Sequence, residues 1–288
     1  MTTSISPMVW IAFNVGILAL ICLDALVINP KGKEMSFRRA LGMTAFWLSL
    51  ALVFNLGVYF YLGNQLSLEF LTAYVVEQSL SVDNIFVFLL IFAHFKVAPL
   101  EQQRILLWGV ISAQVMRAVF ILSGIGLMNH FHWMIYVFGC VLLFTGIKLF
   151  FKQDEEIHPE DSFILKLVGK NLPKFLIVLI VIETTDLIFA IDSIPAVLSI
   201  TKNSFIAYSS NIFAILGLRA MYFALANFMK VLHHLHYGLG IILTFVGFKM
   251  VMENYIHIPV VVTLGFIILT LTVTVMTSIL CQPKTLQK

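Results

Sequence analysis

Apolar runs of about 20 residues follow one another along almost the whole chain, each long enough to cross the roughly 30 Å hydrocarbon core of a bilayer. Lipid offers no water to backbone N–H and C=O groups, so a spanning run must bond within itself, which makes it a helix. Composition agrees with that reading. Of the 288 residues 60% are hydrophobic and 11% charged, where a soluble domain carries about 25% charged; the mean hydropathy is +0.98. A chain with so few polar residues cannot coat a soluble fold, which excludes a soluble enzyme, a disordered protein and a nucleic-acid binder. The net charge of +3 is then a matter of Lys and Arg flanking the spans. Cys22, Cys140 and Cys281 are odd in number and widely spaced. They suggest neither a disulfide framework nor a Cys metal site, and are expected to be buried small hydrophobes.

The pattern predicts an all-α, polytopic membrane protein forming one domain over 1–288. Nine spans are expected, at 8–28, 40–62, 68–92, 105–128, 133–151, 175–200, 205–228, 237–253 and 258–281. The first is not a cleaved signal peptide, because no Lys or Arg precedes it and Asp24 interrupts it. If nine spans alternate, thirteen of the 18 basic residues fall on one side: Lys31, Lys33, Arg38, Arg39, Lys96, Arg104, Lys152, Lys166, Lys170, Lys174, Lys230, Lys284 and Lys288. The other side receives only Lys202. That bias puts the C-terminus in the cytoplasm and the N-terminus outside. The longest loop, 152–174, mixes acids and lysines and reads as a solvated linker.

The two halves of the chain resemble each other. The segment from Ser81 through Asp83 to Val87 aligns with that from Thr184 through Asp186 to Ala190, and Arg117 aligns with Arg219. Tyr136, Gly139, Gly146 and Lys148 align with Tyr237, Gly240, Gly247 and Lys249. The offset drifts only from 103 to 102 to 101. Spans three to five (about 68–151) therefore recur as spans six to eight (about 175–253). Three is odd, so the second copy enters the membrane from the opposite side. This inverted repeat is a recurring secondary-transporter plan, with the substrate site near mid-membrane at the repeat interface.

Six acids lie inside spans: Asp24, Glu77, Asp83, Glu183, Asp186 and Asp192. Each costs at least about 2.5–3.5 kcal/mol at a helix centre, and such residues mark ion or proton paths. At 100° per residue Glu77 and Asn84 share a helix face, as do Glu183 and Asp186. Pro195 cannot donate to the carbonyl of Ile191, so a kink or unwound stretch over 191–195 is expected to turn Asp192 inward. Asp83 and Asp186 should approach across the pseudo-axis. The candidate ligands, with Ser81, Thr184 and Asn211 as auxiliaries, are all oxygen donors, suited to Mg, Ca or Mn. Arg117 and Arg219 would offset part of the charge, and six acids less two arginines leaves −4. That charge suits a divalent cation exchanged against protons. Asp24 is read as a separate element at the cytoplasmic end, grouped with Arg117 and Arg219 as charge-balancing or gating residues, and the histidines, at span ends and in loops, as interfacial groups.

Two long segments now become diagnostic. Glu77-Gln-Ser-Leu-Ser-Val-Asp83-Asn84-Ile-Phe-Val-Phe and Glu183-Thr-Thr-Asp186-Leu-Ile-Phe-Ala-Ile-Asp192-Ser-Ile-Pro195 resemble the two signature segments of the TerC family. Asn211-Ile-Phe-Ala-Ile-Leu-Gly-Leu-Arg219 and Gly146-Ile-Lys148 resemble it too, and the likeness runs over nearly the whole chain, nearest to the Alx branch of bacterial inner-membrane proteins. The resemblance implies export of Mn2+ from the cytoplasm. It also implies a need for the signature acids Glu77, Asp83, Glu183, Asp186 and Asp192, with Asn84 beside them. Other members are linked to tellurite resistance or calcium handling, so a Ca2+ transporter and a non-transporting component of a resistance complex stay open as alternatives. An enzyme is not expected. An intramembrane aspartyl protease would resemble others in a Gly-x-Gly-Asp motif, whereas Val82 and Thr185 precede the paired acids here. No Gly-x-x-x-x-Gly-Lys-Ser/Thr loop occurs, so pumping would use a gradient rather than ATP. The expected partners are membrane lipid and the divalent cation, with no nucleic acid and no organic cofactor; oligomerisation stays open.

Overall fold

A computed structural model describes residues 6–28, 35–131, 133–151, 172–226, 235–252, 255–256 and 258–280. Among them are nine α-helices and no strand. They are α1 (Pro7–Ile28), α2 (Phe37–Leu62), α3 (Asn64–His94), α4 (Pro99–His130) and α5 (Met134–Phe151). After the linker, most of which lies outside the described residues, come α6 (Lys174–Ile200), α7 (Ser204–Leu225), α8 (Leu235–Val251) and α9 (Val260–Leu280). The all-helical expectation holds, and the helices start and end within a few residues of the expected spans. Six of them, α1, α2, α3, α4, α7 and α9, are long and apolar enough to cross a membrane. Helices α5 and α8 are shorter apolar helices, and α6 contains Glu183, Asp186 and Asp192.

Local chemistry sets the helix ends. Gly63 takes φ 93° between α2 and α3, a left-handed turn that a residue with a Cβ enters only under strain. Pro99 stands in the first turn of α4, where its missing N–H costs nothing. The Asn203 side chain accepts from the N–H groups of Phe205 (3.0 Å) and Ile206 (3.2 Å), capping α7.

Helix α7 is the centre of the molecule. It is buried almost throughout, packed among α2, α3 and α4. That position lets Ser209, Ser210 and Asn211 sit side by side in a spanning helix without meeting lipid. Helix α1 runs parallel to it: Trp10 packs edge-on to Phe205 at 5.3 Å, Tyr208 donates to Asn14 at 2.7 Å, and Asp24 reaches Arg219. Helices α4 and α6 are parallel as well, with Ser112 against Glu183 and Arg117 against Asp186. Helices α3 and α6 are antiparallel, with Glu69 bonded to Thr201 and the Lys96 carbonyl to Lys174. The outer faces of α1, α2, α5 and α9 present large apolar side chains such as Leu18, Phe60, Phe144 and Leu269.

Helices α5 and α8 cross closely at glycines. A Cβ on Gly247 would lie 2.8 Å from the Gly139 carbonyl oxygen, and one on Gly146 would lie 2.9 Å from the Gly240 carbonyl oxygen. Small residues of this kind let helix backbones approach within a membrane.

Two expectations are corrected. The backbone stays helical through Pro195, with no unwound stretch over 191–195. Proline removes one hydrogen bond, and the buried flank of Ile194, Ala196, Val197 and Leu198 holds the turn in place. Cys22 and Cys140 are exposed rather than buried, because the outer face of this chain is itself apolar. Cys281 lies outside the described residues.

Candidate functional site

Four helices bring their polar side chains to one guanidinium. Helix α3 places Glu77, Ser81 and Asn84 on one face, at spacings of four and three residues, and all three are buried. Arg117 of α4 is 1% exposed. Its Nη1 donates to Glu77 Oε1 and, at 3.3 Å, to Asn211 Oδ1 of α7. Its Nη2 donates to Asp186 Oδ1 of α6 at 3.3 Å. The rigid donor fork of arginine makes one residue sufficient to join α3, α6 and α7 to α4. Burying these charges is tolerable because each is paired; removing one partner would leave the others uncompensated in a dry interior.

The pairing leaves capacity over. Glu77 Oε2, Asp186 Oδ2, Ser81 Oγ and Asn211 Nδ2 are buried without a hydrogen-bond partner among the described residues. The two carboxylate oxygens and the hydroxyl are hard oxygen donors of the type that a divalent cation takes. Glu183 stands one turn before Asp186 on α6, where Ser112 of α4 donates to its Oε1 and its Oε2 is unpartnered. Glu183 and Asp186 both face a cavity of about 20 Å³, walled otherwise by apolar side chains including Phe88, Leu106, Val110 and Leu218. That is room for about one water. The Thr184 hydroxyl donates to the Ile180 carbonyl at 2.7 Å, so its proton is directed into its own helix.

A second buried pair lies apart from these. Arg219 of α7 holds Asp24 of α1, Nη2 to Oδ2 at 3.0 Å, and also donates to the Asp24 backbone carbonyl at 3.3 Å. The sequence set Asp24 apart at the end of its span; the fold makes it the partner of the second repeat arginine. The expected ligands are thus distributed: Glu77, Asp186 and Asn211 meet at Arg117, Glu183 meets Ser112, and Asp24 meets Arg219. Among the described residues no three His, Cys, Asp or Glu converge to hold a metal ion. The side chains of Asp83 and Asp192, both in the expected ligand set, lie outside the described residues.

Two members of the site escaped the sequence reading. Ser112 is the partner of Glu183, and Gln114 is buried with its Nε2 unpartnered. Gln114 stands three residues before Arg117 on the row Leu106, Val110, Ala113, Arg117, Ile121 that α4 buries. A polar residue on the buried stripe of an apolar helix was the available signal. Ser112 gave none, because serines are common in spanning helices.

Spanning-length apolar helices around a paired, buried charge network define an integral, multi-pass membrane protein. Within that class the chain belongs to the TerC family, described as "Integral membrane protein TerC family", whose family model matches residues 62–286. It is 40% identical to the membrane protein STKORF319 of Myxococcus xanthus, over 91% of this chain and 89% of that one. It is 38% identical to Alx of Salmonella typhi, over 95% and 94% of the two chains. Alx of Escherichia coli K12 is 37% identical, over 93% and 92%. Both Alx proteins are named as candidate membrane-bound redox modulators. No solved structure matches this chain.

Proposed function

We propose that this protein is a secondary transporter that exports a divalent cation, Mn2+, from the cytoplasm across the bacterial inner membrane in exchange for protons. The observation that carries the reading is the Arg117 network. It joins an acid of α3 to an acid of α6 and leaves a free oxygen on each. Charges that cost several kcal/mol each to bury and that keep free oxygens after pairing are what a cation path needs. The oxygen-only donor set favours Mn2+, Ca2+ or Mg2+ over softer ions, and within that group the TerC signature segments favour Mn2+.

The inverted repeat is part of the same reading, and the packing supports it. The alignment makes Gly240 the image of Gly139 and Gly247 the image of Gly146. Gly139 meets Gly247, and Gly146 meets Gly240. Each glycine therefore meets the image of the other, as the two sides of a two-fold contact do. Helix directions fit nine crossings: α1, α3 and α7 run one way and α4 and α6 the other, with α5 and α8 opposed. In this scheme Glu183 lies on the cytoplasmic side of Asp186, and Glu77 on the outer side of Asp83. An outgoing cation would meet Glu183 first, then the repeat aspartates, then Glu77. Arg117 would hold Glu77 and Asp186 between loads, and protons would replace the metal on return.

The test is metal flux in sealed vesicles containing the purified protein, with Mn2+, Ca2+, Mg2+ and Zn2+ compared under a set pH gradient. Mn2+ uptake that alkalinises the lumen, as exchange against protons requires, and is lost in Asp83→Asn and Asp186→Asn is the expected result. Flux of Ca2+ in preference to Mn2+ would reassign the cargo. Folded protein that moves no metal would overturn transport in favour of a resistance-complex component.

A further inference from the structure

The two repeat arginines are not treated alike. Arg117 in the first repeat is held by Glu77 and Asp186. The images of those partners in the second half of the alignment are Ile180 and Asp83. Arg219 has thus lost the counterpart of Glu77, since Ile180 has no charge to offer. What the structure places on Arg219 instead is Asp24, from α1, a helix outside the repeat. Both groups are buried, Arg219 at 2% and Asp24 at 7% exposure, and the contact is reinforced by the Asp24 backbone carbonyl. Helix α1 is fixed beside α7 by the Trp10 and Phe13 contacts to Phe205 and by the Asn14–Tyr208 bond. These contacts hold Asp24 in register with Arg219.

We infer that Asp24 is a positioning residue of the cation site: by occupying Arg219 it keeps that guanidinium from neutralising Asp83, whose charge is left for the cation. A guanidinium released inside a low-dielectric interior takes the nearest carboxylate, because an unpaired buried charge is costly. The alignment makes Asp83 the acid that the repeat itself offers to Arg219. Freed from Asp24, Arg219 would compete with the cation for that carboxylate. The inference rests on the transporter reading above and adds a role for a residue that lies outside the signature segments.

The experiment is Mn2+ binding to the purified full chain in detergent, by titration calorimetry, with vesicle flux measured alongside. Asp24→Asn is expected to weaken Mn2+ binding by about tenfold or more. Arg219→Gln is expected to bind at least as tightly as wild type. The double variant, which removes both charges, is expected to return to within about threefold of wild type. Asp24→Glu, which keeps the charge, should stay close to wild type. If the double variant binds as weakly as Asp24→Asn alone, Asp24 contacts the metal itself and the inference is overturned. Unchanged binding in Asp24→Asn overturns it too. Should Asp24→Asn fail to fold, the other three variants decide the matter, since all three must retain affinity and its loss in any one overturns the inference. A wild-type protein that neither binds nor moves Mn2+ defeats the transporter reading and this inference with it. Wild-type binding with failure only in the variant pattern defeats this inference alone.

Discussion

At Arg117 a single side chain holds three helices through Glu77, Asp186 and Asn211. Glu77→Gln would leave a buried guanidinium with one carboxylate fewer. The expected cost is about 3–5 kcal/mol of stability, read as a lower unfolding temperature in detergent, together with loss of Mn2+ flux. A melting curve matching wild type would show that the pair contributes little to the fold. Ser112→Ala acts more locally. It removes the one described donor to Glu183 and is expected to cost about 1–3 kcal/mol. Its effect should fall on Mn2+ affinity more than on folding, because Ser112 bonds to Glu183, which faces the 20 Å³ cavity, and takes no part in the Arg117 network.

Helix α5 meets α8 at distances that only glycine permits. A Cβ on Gly247 would stand 2.8 Å from both the Gly139 carbonyl oxygen and the Leu143 nitrogen. Backbone atoms cannot swing aside as a flexible side chain can, so Gly247→Ala is expected to destabilise by about 1–3 kcal/mol. Gly126→Ala is the matching control, since nothing lies within 4 Å of the added carbon. Equal melting temperatures for the two variants would show that the crossing can open without cost. Helix α6 teaches a different lesson. Pro195, where a kink or unwound stretch is expected from sequence, is carried inside a continuous helix, because the packing of its neighbours, and not the missing N–H alone, decides whether a turn survives. Pro195→Ala is accordingly expected to leave the fold intact.

Across the whole molecule the prediction is topological. With the native cysteines replaced by serine, Tyr61→Cys and Tyr255→Cys, both at exposed positions, should react with an impermeant thiol reagent added outside intact cells. Glu101→Cys, also exposed, should react only after permeabilisation. Tyr61 and Tyr255 are separated by six helices, α3 to α8, so labelling on opposite sides would refute the nine-crossing arrangement. The basic residues are what point to that arrangement. Their bias to one side survives only if every helix crosses, including the short α5 and α8 and the acid-bearing α6.

The class, the helices and the family are legible in the chain alone. A bilayer permits only self-satisfied backbone, so apolar run length translates directly into helix, and charge inside such a run cannot be accidental. The acids, Arg117 and Arg219 stand out for the same reason. Which of them pair with which is a matter of packing. Glu77 and Asp186 are separated by more than a hundred residues yet share Arg117, and Asp24 reaches Arg219 across 195 residues of the chain. Periodicity along one helix fixes which face a residue occupies. The partner across that face depends on how four helices pack, and nothing local in the chain encodes it.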